Sequence, residues 1–370
     1  MASQWKTSPV RYAVVGLGYI SQSAVLPAFA HAKRNSVLAA LVSDDPKKLA
    51  KLGQRYQVST RIDYSAYDEL LDSGAIDAVY IALPNTLHRD YTERAAKRGI
   101  HVLCEKPLAA TSDDCRAMIE ACAAAKVKLM TAYRLHFEPA NLAAIEAVRT
   151  KIGEPRFFTS TFGNPVKAPN IRLSAELGGG TLYDIGIYCI NAARHLFEAE
   201  PYEVFAATVH GNDPRFDEVE ESAACVLRFP GDRLASFTCS FGSDEEVVFQ
   251  VVGTKGRVEL DQAYEIAIEK TLTVAKGSKK RPRTFKKNDQ FAAELLHFSD
   301  CVLTDRTPIA PGEEGLKDLL VIEALYESAR TGHPVTLEES EAPPAFSRKQ
   351  EIRRPPVRKT PMIHARPPSA

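Results

Sequence analysis

Glu105, Lys106 and Pro107 set a carboxylate, an ammonium and a proline side by side in the stretch "LCEKPLA", between an apolar run and a helix-like segment. An ammonium held in a fixed direction can polarise a hydroxyl or stabilise an anion beside it. Pro107 fixes its own backbone φ and confines Lys106 to extended conformations, while Glu105 can hold the charge. Downstream, "ELGGGTLYDIGIYCINAARHLF" runs from three glycines into an amphipathic helical pattern. Asp184 and Tyr188 are four apart there and share a face, with Cβ atoms about 6 Å apart. A carboxylate can accept hydrogen bonds from hydroxyl groups. A phenol, with a reference pKa near 10, is a poor base at neutral pH unless its anion is stabilised. An ammonium about 4 Å away supplies roughly 4 kcal/mol at an effective dielectric of 20, before desolvation. Taken alone, a tyrosine on a helix is more often a packing residue.

A second group of residues fits a dinucleotide. In "AVVGLGYIS" an apolar strand pattern ends at Gly16 and Gly18, with Tyr19 and Ile20 opening the next helix. Gly16 lets the turn tighten, and Gly18 lets backbone N–H groups approach a pyrophosphate at the positive end of that helix. Ser21 stands where the usual fingerprint has a third glycine. The end of the second apolar run, "LVSDDPKKLA", decides the cofactor, because a carboxylate there binds the ribose 2′-hydroxyl and repels a 2′-phosphate. That position is read as Ser43, with Lys48 a turn on, which favours NADP over NAD; a one-residue shift to Asp44 would reverse the preference. "LPNTLHRDY" follows the fourth apolar run and brings Leu83, Pro84, Asn85 and His88 to the carboxyl edge of the sheet. For His88, a capping or surface role stands beside the ligand role.

The elements that must position these groups are legible from the pattern. Over the first 130 or so residues, short runs rich in Val, Ile, Leu and Ala alternate with helical segments, as in a doubly wound parallel sheet covered on both faces. Beyond about residue 150, longer β-like segments are separated by turns such as Pro230-Gly231-Asp232, which points to an antiparallel sheet. The fold class expected is α/β: a Rossmann domain over 1–134 and an α+β domain with a large open sheet over 135–340. A Pro- and Arg-rich tail over 341–370 is expected to be an extended arm or disordered.

Composition narrows the function. Forty-seven basic and 47 acidic side chains cancel, so nothing selects nucleic acid or an anionic membrane as partner. Seven scattered cysteines contain no C-x-x-C pair, which suggests neither a disulfide framework nor a metal site. No apolar run reaches membrane-spanning length and no leader pattern opens the chain, so a cytoplasmic location is expected, or a periplasmic one if a precursor was trimmed.

In order along the chain, "AVVGLGYIS", "AVYIALPNTLH", "CEKPLA", "AYRLHFEP" and "GGGTLYDIGIYCINAARHLF" resemble the glucose-fructose oxidoreductase/inositol dehydrogenase family over roughly residues 10 to 335. Many members carry histidine where this chain has Tyr188; the glucose-fructose oxidoreductase branch carries tyrosine. The resemblance implies that Lys106, Tyr188 and Asp184 are catalytic and that Glu105 and Lys106 also contact cofactor. It further implies that Arg134, His136 and Arg172 line the substrate cleft. The activity implied is NADP-dependent hydride transfer from C1 of a glucose-like aldose, giving the lactone, with a second sugar as a possible acceptor. A dehydrogenase or reductase of another polyol, diol or keto-sugar stands as an alternative, and a non-catalytic cofactor-binding regulator as one of another class. That branch has a long N-terminal arm covering the adenine; this chain has about ten residues before its first strand, so cofactor retention would need the C-terminal tail. An open sheet with one apolar face predicts a homodimer or homotetramer.

Overall fold

The computed structural model describes residues 8–370; the reading that no leader opens the chain rests partly on residues 1–7, outside that range. Two compact units are present. The first comprises the chain up to Arg134 together with Asp289–Leu316 and Arg354–Pro367, and the second comprises Leu135–Asn288, Lys317–Arg353 and Pro368–Ala370.

In the first unit, six parallel strands follow the order β3-β2-β1-β4-β5-β6. They are β1 (Val10–Val15), β2 (Ser36–Val42), β3 (Thr60–Ile62), β4 (Ala78–Ile81), β5 (His101–Cys104) and β6 (Leu129–Thr131). The apolar runs are continuous because helices cover both faces: every residue of β4 and β6 is buried. The order reverses between β1 and β4, which is where open α/β sheets bind ligands. The helix Gln290–Thr304 belongs to this unit although it follows the second sheet in sequence. Its Ser299 Oγ lies 2.7 Å from both the Tyr12 hydroxyl and Ser36 Oγ, so one buried hydroxyl cluster joins it to β1 and β2.

The second unit is built on a mixed, mostly antiparallel sheet of nine strands, in the order β14-β13-β12-β11-β7-β10-β9-β8-β15. These are β7 (Pro155–Gly163), β8 (Glu203–Val209), β9 (Ser222–Phe229), β10 (Arg233–Ser240), β11 (Glu246–Gly253), β12 (Gly256–Asp261), β13 (Lys270–Lys276), β14 (Lys279–Phe285) and β15 (Val335–Thr336). Only β7 and β10 run parallel. Alternation is plain along β9, where Ala223, Cys225, Leu227 and Phe229 point inward and Val226 outward. The helix Ile187–Phe197 packs on β7 on the covered face.

That helix is fixed by buried charge. Arg194 is fully buried, with Nη1 2.5 Å from Asp318 Oδ1 and Nε 2.5 Å from Glu200 Oε2. Asn191, one turn earlier, donates to the other oxygen of Asp318 at 2.9 Å. Breaking a buried pair from one side leaves an uncompensated charge. Arg194→Leu is therefore expected to lower unfolding free energy by about 3–5 kcal/mol, read as a fall in urea midpoint with unchanged slope; a change under about 1 kcal/mol would refute the assignment.

Candidate active site

One row of backbone hydrogen bonds runs along the carboxyl edge of the parallel sheet. Ser43 N donates to Ile62 O, Gly16 N to Val42 O, Ala82 N to Val15 O, Glu105 N to Ile81 O and Ala132 N to Cys104 O, at 2.8–3.1 Å. The sequence-predicted residues of this domain therefore leave their strands at one level. Gly16 has φ 93°, and a β-carbon on it would sit 2.4 Å from the Ala82 carbonyl oxygen, so only glycine fits where β1 closes on β4. Around Gly18, by contrast, no atom of the described residues beyond its chain neighbours would lie within 4 Å of an added β-carbon. The first glycine is needed by the fold, and the second leaves room for a phosphate beside backbone N–H groups. Ser21 replaces the third glycine usefully, because its hydroxyl donates to Gly16 O at 2.6 Å and closes the turn. Residues Ser21–Val25 form a π-helical turn, a feature common at binding sites.

Ser43 is the first residue beyond β2 and is buried. Asp45 caps the helix Pro46–Tyr56: its Oδ1 accepts from the N–H groups of Lys47 and Lys48 at 2.9 and 3.0 Å. Asp44 is exposed. Leu83 and Pro84 lead into the short turn Asn85–Leu87. His88 does not present its ring to a ligand. It is wholly buried, with Nε2 3.0 Å from Leu83 O and Nδ1 3.1 and 3.2 Å from the carbonyls of Pro107 and Leu108. Burial lowers its pKa while the three carbonyls pull it up, and the ring spans from the turn after β4 to the Lys106 loop.

The Lys106 loop follows β5, and its Lys106–Pro107 bond is cis. Glu105 Oε1 accepts from the Tyr80 hydroxyl at 2.7 Å and Oε2 from the Lys106 N–H at 3.3 Å. Burial raises the Tyr80 pKa well above its usual value, so the phenol stays protonated and donates. Glu105 is also pushed up by burial, against the pull of Tyr80, Lys106 and Arg134. Arg134 is buried and its guanidinium donates to Gln290 Oε1. Beside this group lies Glu294, fully buried, whose carboxyl oxygens have no hydrogen-bond partner among the described residues. Burial, then the nearby Glu105, raise its pKa well above the carboxylate range, so it is a neutral acid. Tyr80, Gln290 and Glu294 escaped the sequence reading. The one available signal was a lone acid inside the apolar helical stretch "QFAAELLHF".

In the second unit the glycine run has a clear purpose. A β-carbon on Gly179 would lie 2.5 Å from Arg172 O and 2.7 Å from Ser174 O. The close approach lets Gly179 N donate to Ser174 O and Gly180 N to Arg172 O, which lays the Arg172 loop on the start of the helix. Arg172 Nε then reaches Asp184 Oδ2 at 2.6 Å. Asp184 sits in a π-helical turn, Leu182–Gly186, that precedes the α-helix, so the stretch is not the uninterrupted helix the pattern implied. Asp184 and Tyr188 are nevertheless both half-buried and each is followed by buried residues, which keeps them on one stripe. The Tyr188 ring stacks on Tyr264 at 5.9 Å and meets the edge of Phe162 at 5.7 Å. His136 differs from expectation: it is buried, pairs through Nε2 with Asn191 Oδ1 at 2.9 Å, and packs on His195 and Phe346. Its contacts brace the helix and do not line an open cleft. Lys106 and Arg134 belong to the first unit, and Arg172, Asp184 and Tyr188 to the second.

A raised carboxyl pKa costs stability as pH climbs. Below about pH 4.5 both folded and unfolded chains hold the Glu294 proton; above it the unfolded chain alone releases it, and unfolding gains up to about 1.4 kcal/mol per pH unit until the folded pKa is reached. Glu294→Gln removes that loss. Its stability relative to the unaltered protein should rise as pH climbs above about 4.5 in urea titrations, and a pH-independent difference would contradict a raised Glu294 pKa.

Residues 10–133 match the family model described as "Oxidoreductase family, NAD-binding Rossmann fold", and residues 145–337 match its "C-terminal alpha/beta domain". The chain is 34% identical over 331 residues to D-xylose 1-dehydrogenase (NADP(+)) 2 of Haloferax volcanii, covering 88% of this chain and 99% of that one. Among solved structures, aldose-aldose oxidoreductase from Caulobacter crescentus, complexed with glycerol, superposes with a TM-score of 0.85 at 42% identity, covering 89% of this chain and 100% of that one. A 3-ketoreductase from Actinomadura kijaniata, solved with NADP and TDP-benzene, gives 0.79 at 26% identity, covering 87% and 98%.

Proposed function

The chain belongs to the glucose-fructose oxidoreductase/inositol dehydrogenase family of oxidoreductases, and from that premise we propose that it is an NADP-dependent sugar oxidoreductase acting at C1 of an aldose to give the aldonolactone. The observation that carries the reading is the level shared by Gly16, Ser43, Ala82 and Glu105, the last two directly preceding Leu83 and Lys106, at the carboxyl edge of one parallel sheet, with open space at Gly18. The residues fit a dinucleotide, which supplies the hydride acceptor; NADP is supported by Ser43 at the end of β2 and by the cofactor named for the xylose dehydrogenase relative. Glucose-like and xylose-like aldoses are both candidate substrates. A second sugar as hydride acceptor is supported by the likeness to the aldose-aldose enzyme.

The chain's own residues then divide the work. Tyr188 takes the proton of the C1 hydroxyl as hydride leaves the same carbon, and the Lys106 ammonium stabilises the phenolate that does so. Glu105, restrained by Tyr80, sets the direction of Lys106. Asp184, oriented by Arg172, accepts hydrogen bonds from neighbouring hydroxyls. Asn85, Tyr19, Ile20, Lys48 and Pro84 contact the cofactor in this reading, and Arg134 supports the loop from below.

Absorbance at 340 nm, with purified protein and a panel of aldoses, is the test. A rise without added NADP means cofactor already held, a rise only with NADP means an exchanging dehydrogenase, and no rise with any sugar sinks the proposal. Lys106→Met and Tyr188→Phe should each cut turnover by roughly two to four orders of magnitude while dinucleotide binding persists; full activity in Tyr188→Phe would place the proton elsewhere.

The same family membership and the sheet support a homo-oligomer. Phe157, Phe205, Val209, Val226 and Leu234 are exposed on the uncovered face of the second sheet, and a face of that kind in an ordinary monomer would be an association hazard. Light scattering should report a dimer or tetramer, and Val226→Glu combined with Phe205→Glu should lower the mass. A monomer in the unaltered protein would refute the assignment.

A further inference from the structure

The tail expected to be extended or disordered makes specific contacts with the nucleotide-binding domain. We propose that Arg354–Pro367 is a built-in strap forming the outer wall of the adenosine end of the dinucleotide site, slowing release of NADP and favouring it over NAD. The proposal rests on the reading that the domain binds a dinucleotide.

Gln22 carries the strongest link. It is 1% exposed and lies in the first turn of the helix that follows Gly16-Leu17-Gly18. Its Nε2 donates to Leu17 O and to Ile363 O, both at 2.9 Å, and its Oε1 accepts from Ile363 N at 2.8 Å. One amide thus joins the carbonyl in the middle of the glycine turn to both backbone groups of Ile363, using both donors and the acceptor. Movement of the strap at this point is movement against the phosphate turn itself. Ile363 is 7% exposed, whereas its neighbours on the strap are half-buried or exposed, so it seats the strap.

The next residue makes the second link. His364, at φ 44°, places Nδ1 2.6 Å from Asp45 Oδ2. Since Asp45 Oδ1 is already held by two helix N–H groups, both oxygens of this carboxylate are engaged. Asp45 lies next to the deciding Ser43, its N–H donating to Ser43 Oγ at 3.2 Å, and a free carboxylate so close would repel the 2′-phosphate of NADP. With His364 on it, that repulsion is weakened. Upstream, Arg354 Nε donates to His31 O at 3.2 Å, and Asp289 N donates to Arg354 O at 3.0 Å. The strap is therefore tied to the turns after β1 and β2, between which the adenosine ribose of a bound dinucleotide sits. From Arg354 to Pro367 the sequence contains three arginines, a lysine and a histidine but no acid. Arg358, Lys359 and Arg366 are exposed, a charge that suits a cofactor carrying three phosphates.

Three proteins test this: the full chain, a chain ended at Arg353, and the full chain with Ile363→Pro and His364→Ala, which removes the donor to Gln22 and the partner of Asp45 without shortening anything. NADPH release is followed by loss of bound-cofactor fluorescence after a chase with excess NADP, and dissociation constants for NADP and NAD are compared. Both variants should release NADPH about tenfold faster or more, the change expected for losing a few hydrogen bonds including a charged one, and the double substitution should narrow the preference for NADP over NAD. Bound NADP should also slow tryptic cleavage after Arg358 and Lys359 in the full chain. If the full chain binds NADP and the substituted chain releases it at the same rate, the strap is refuted, even should the shortened chain fail to fold; cleavage indifferent to NADP refutes it too. If the full chain binds neither dinucleotide, it is the oxidoreductase reading that fails.

Discussion

The carbonyl of Ala82 against the bare α-carbon of Gly16 is the contact on which the nucleotide end depends. A β-carbon on Gly16 would come within 2.4 Å of that oxygen, so the turn after β1 closes on the end of β4 only because residue 16 has no side chain. The closure completes the run of five N–H to carbonyl bonds across six strand ends. Because the run fixes height, Ser43, Gly16, Leu83 and Lys106 emerge together although they are far apart in sequence. Each neighbouring pair of strands contributes one bond to that alignment, and the reversal of strand order at β1 and β4 opens the space beside it.

Lys106 is positioned by a buried polar group whose members compete for charge. Glu105 is stabilised as an anion by Tyr80, the Lys106 N–H and nearby Arg134, while burial works against it. Glu294 has no such hydrogen bonds, and it stays protonated. Burial raises both carboxyl groups, and the partners of Glu105 hold its rise in check. His88, buried between carbonyls on both sides of its ring, braces the loop from the side of β4. The loop that looked like a surface charge cluster is held from beneath by groups drawn from β4, β5 and the helix Gln290–Thr304.

Glycine serves the second unit in the same way. Gly179 admits the Arg172 and Ser174 carbonyls where a side chain would collide, and the Arg172–Asp184 pair follows from it. The π-helical turns at Ser21–Val25 and Leu182–Gly186 fall at the two places where the sequence had placed ligand contacts. In the helix that carries Tyr188, the buried Arg194 and its acids add a charged anchor to the packing of Ile187, Ile190, Leu196 and Phe197.

Local pattern was enough to read the two sheets, because strands covered on both faces must be apolar throughout and strands covered on one must alternate. It was enough also to place Gly16, Gly18, Ser43 and Lys106 just beyond strand ends. Asp184 and Tyr188 were legible as one stripe, since helical spacing survives the added π turn. What the sequence could not decide was every relation between residues distant along the chain. His88 and His136 looked available for ligands and turned out to be buried braces, because neighbours at 107, 108, 191 and 346 are invisible to a local reading. Glu294 and Tyr80 joined the Lys106 loop only through packing. The tail, poor in core-forming residues, read as unattached; the backbone of Ile363 found Gln22, more than three hundred residues away, through hydrogen bonds that any residue type there but proline could make. Composition determines how a segment can be covered, and tertiary structure alone determines which distant groups satisfy its polar atoms.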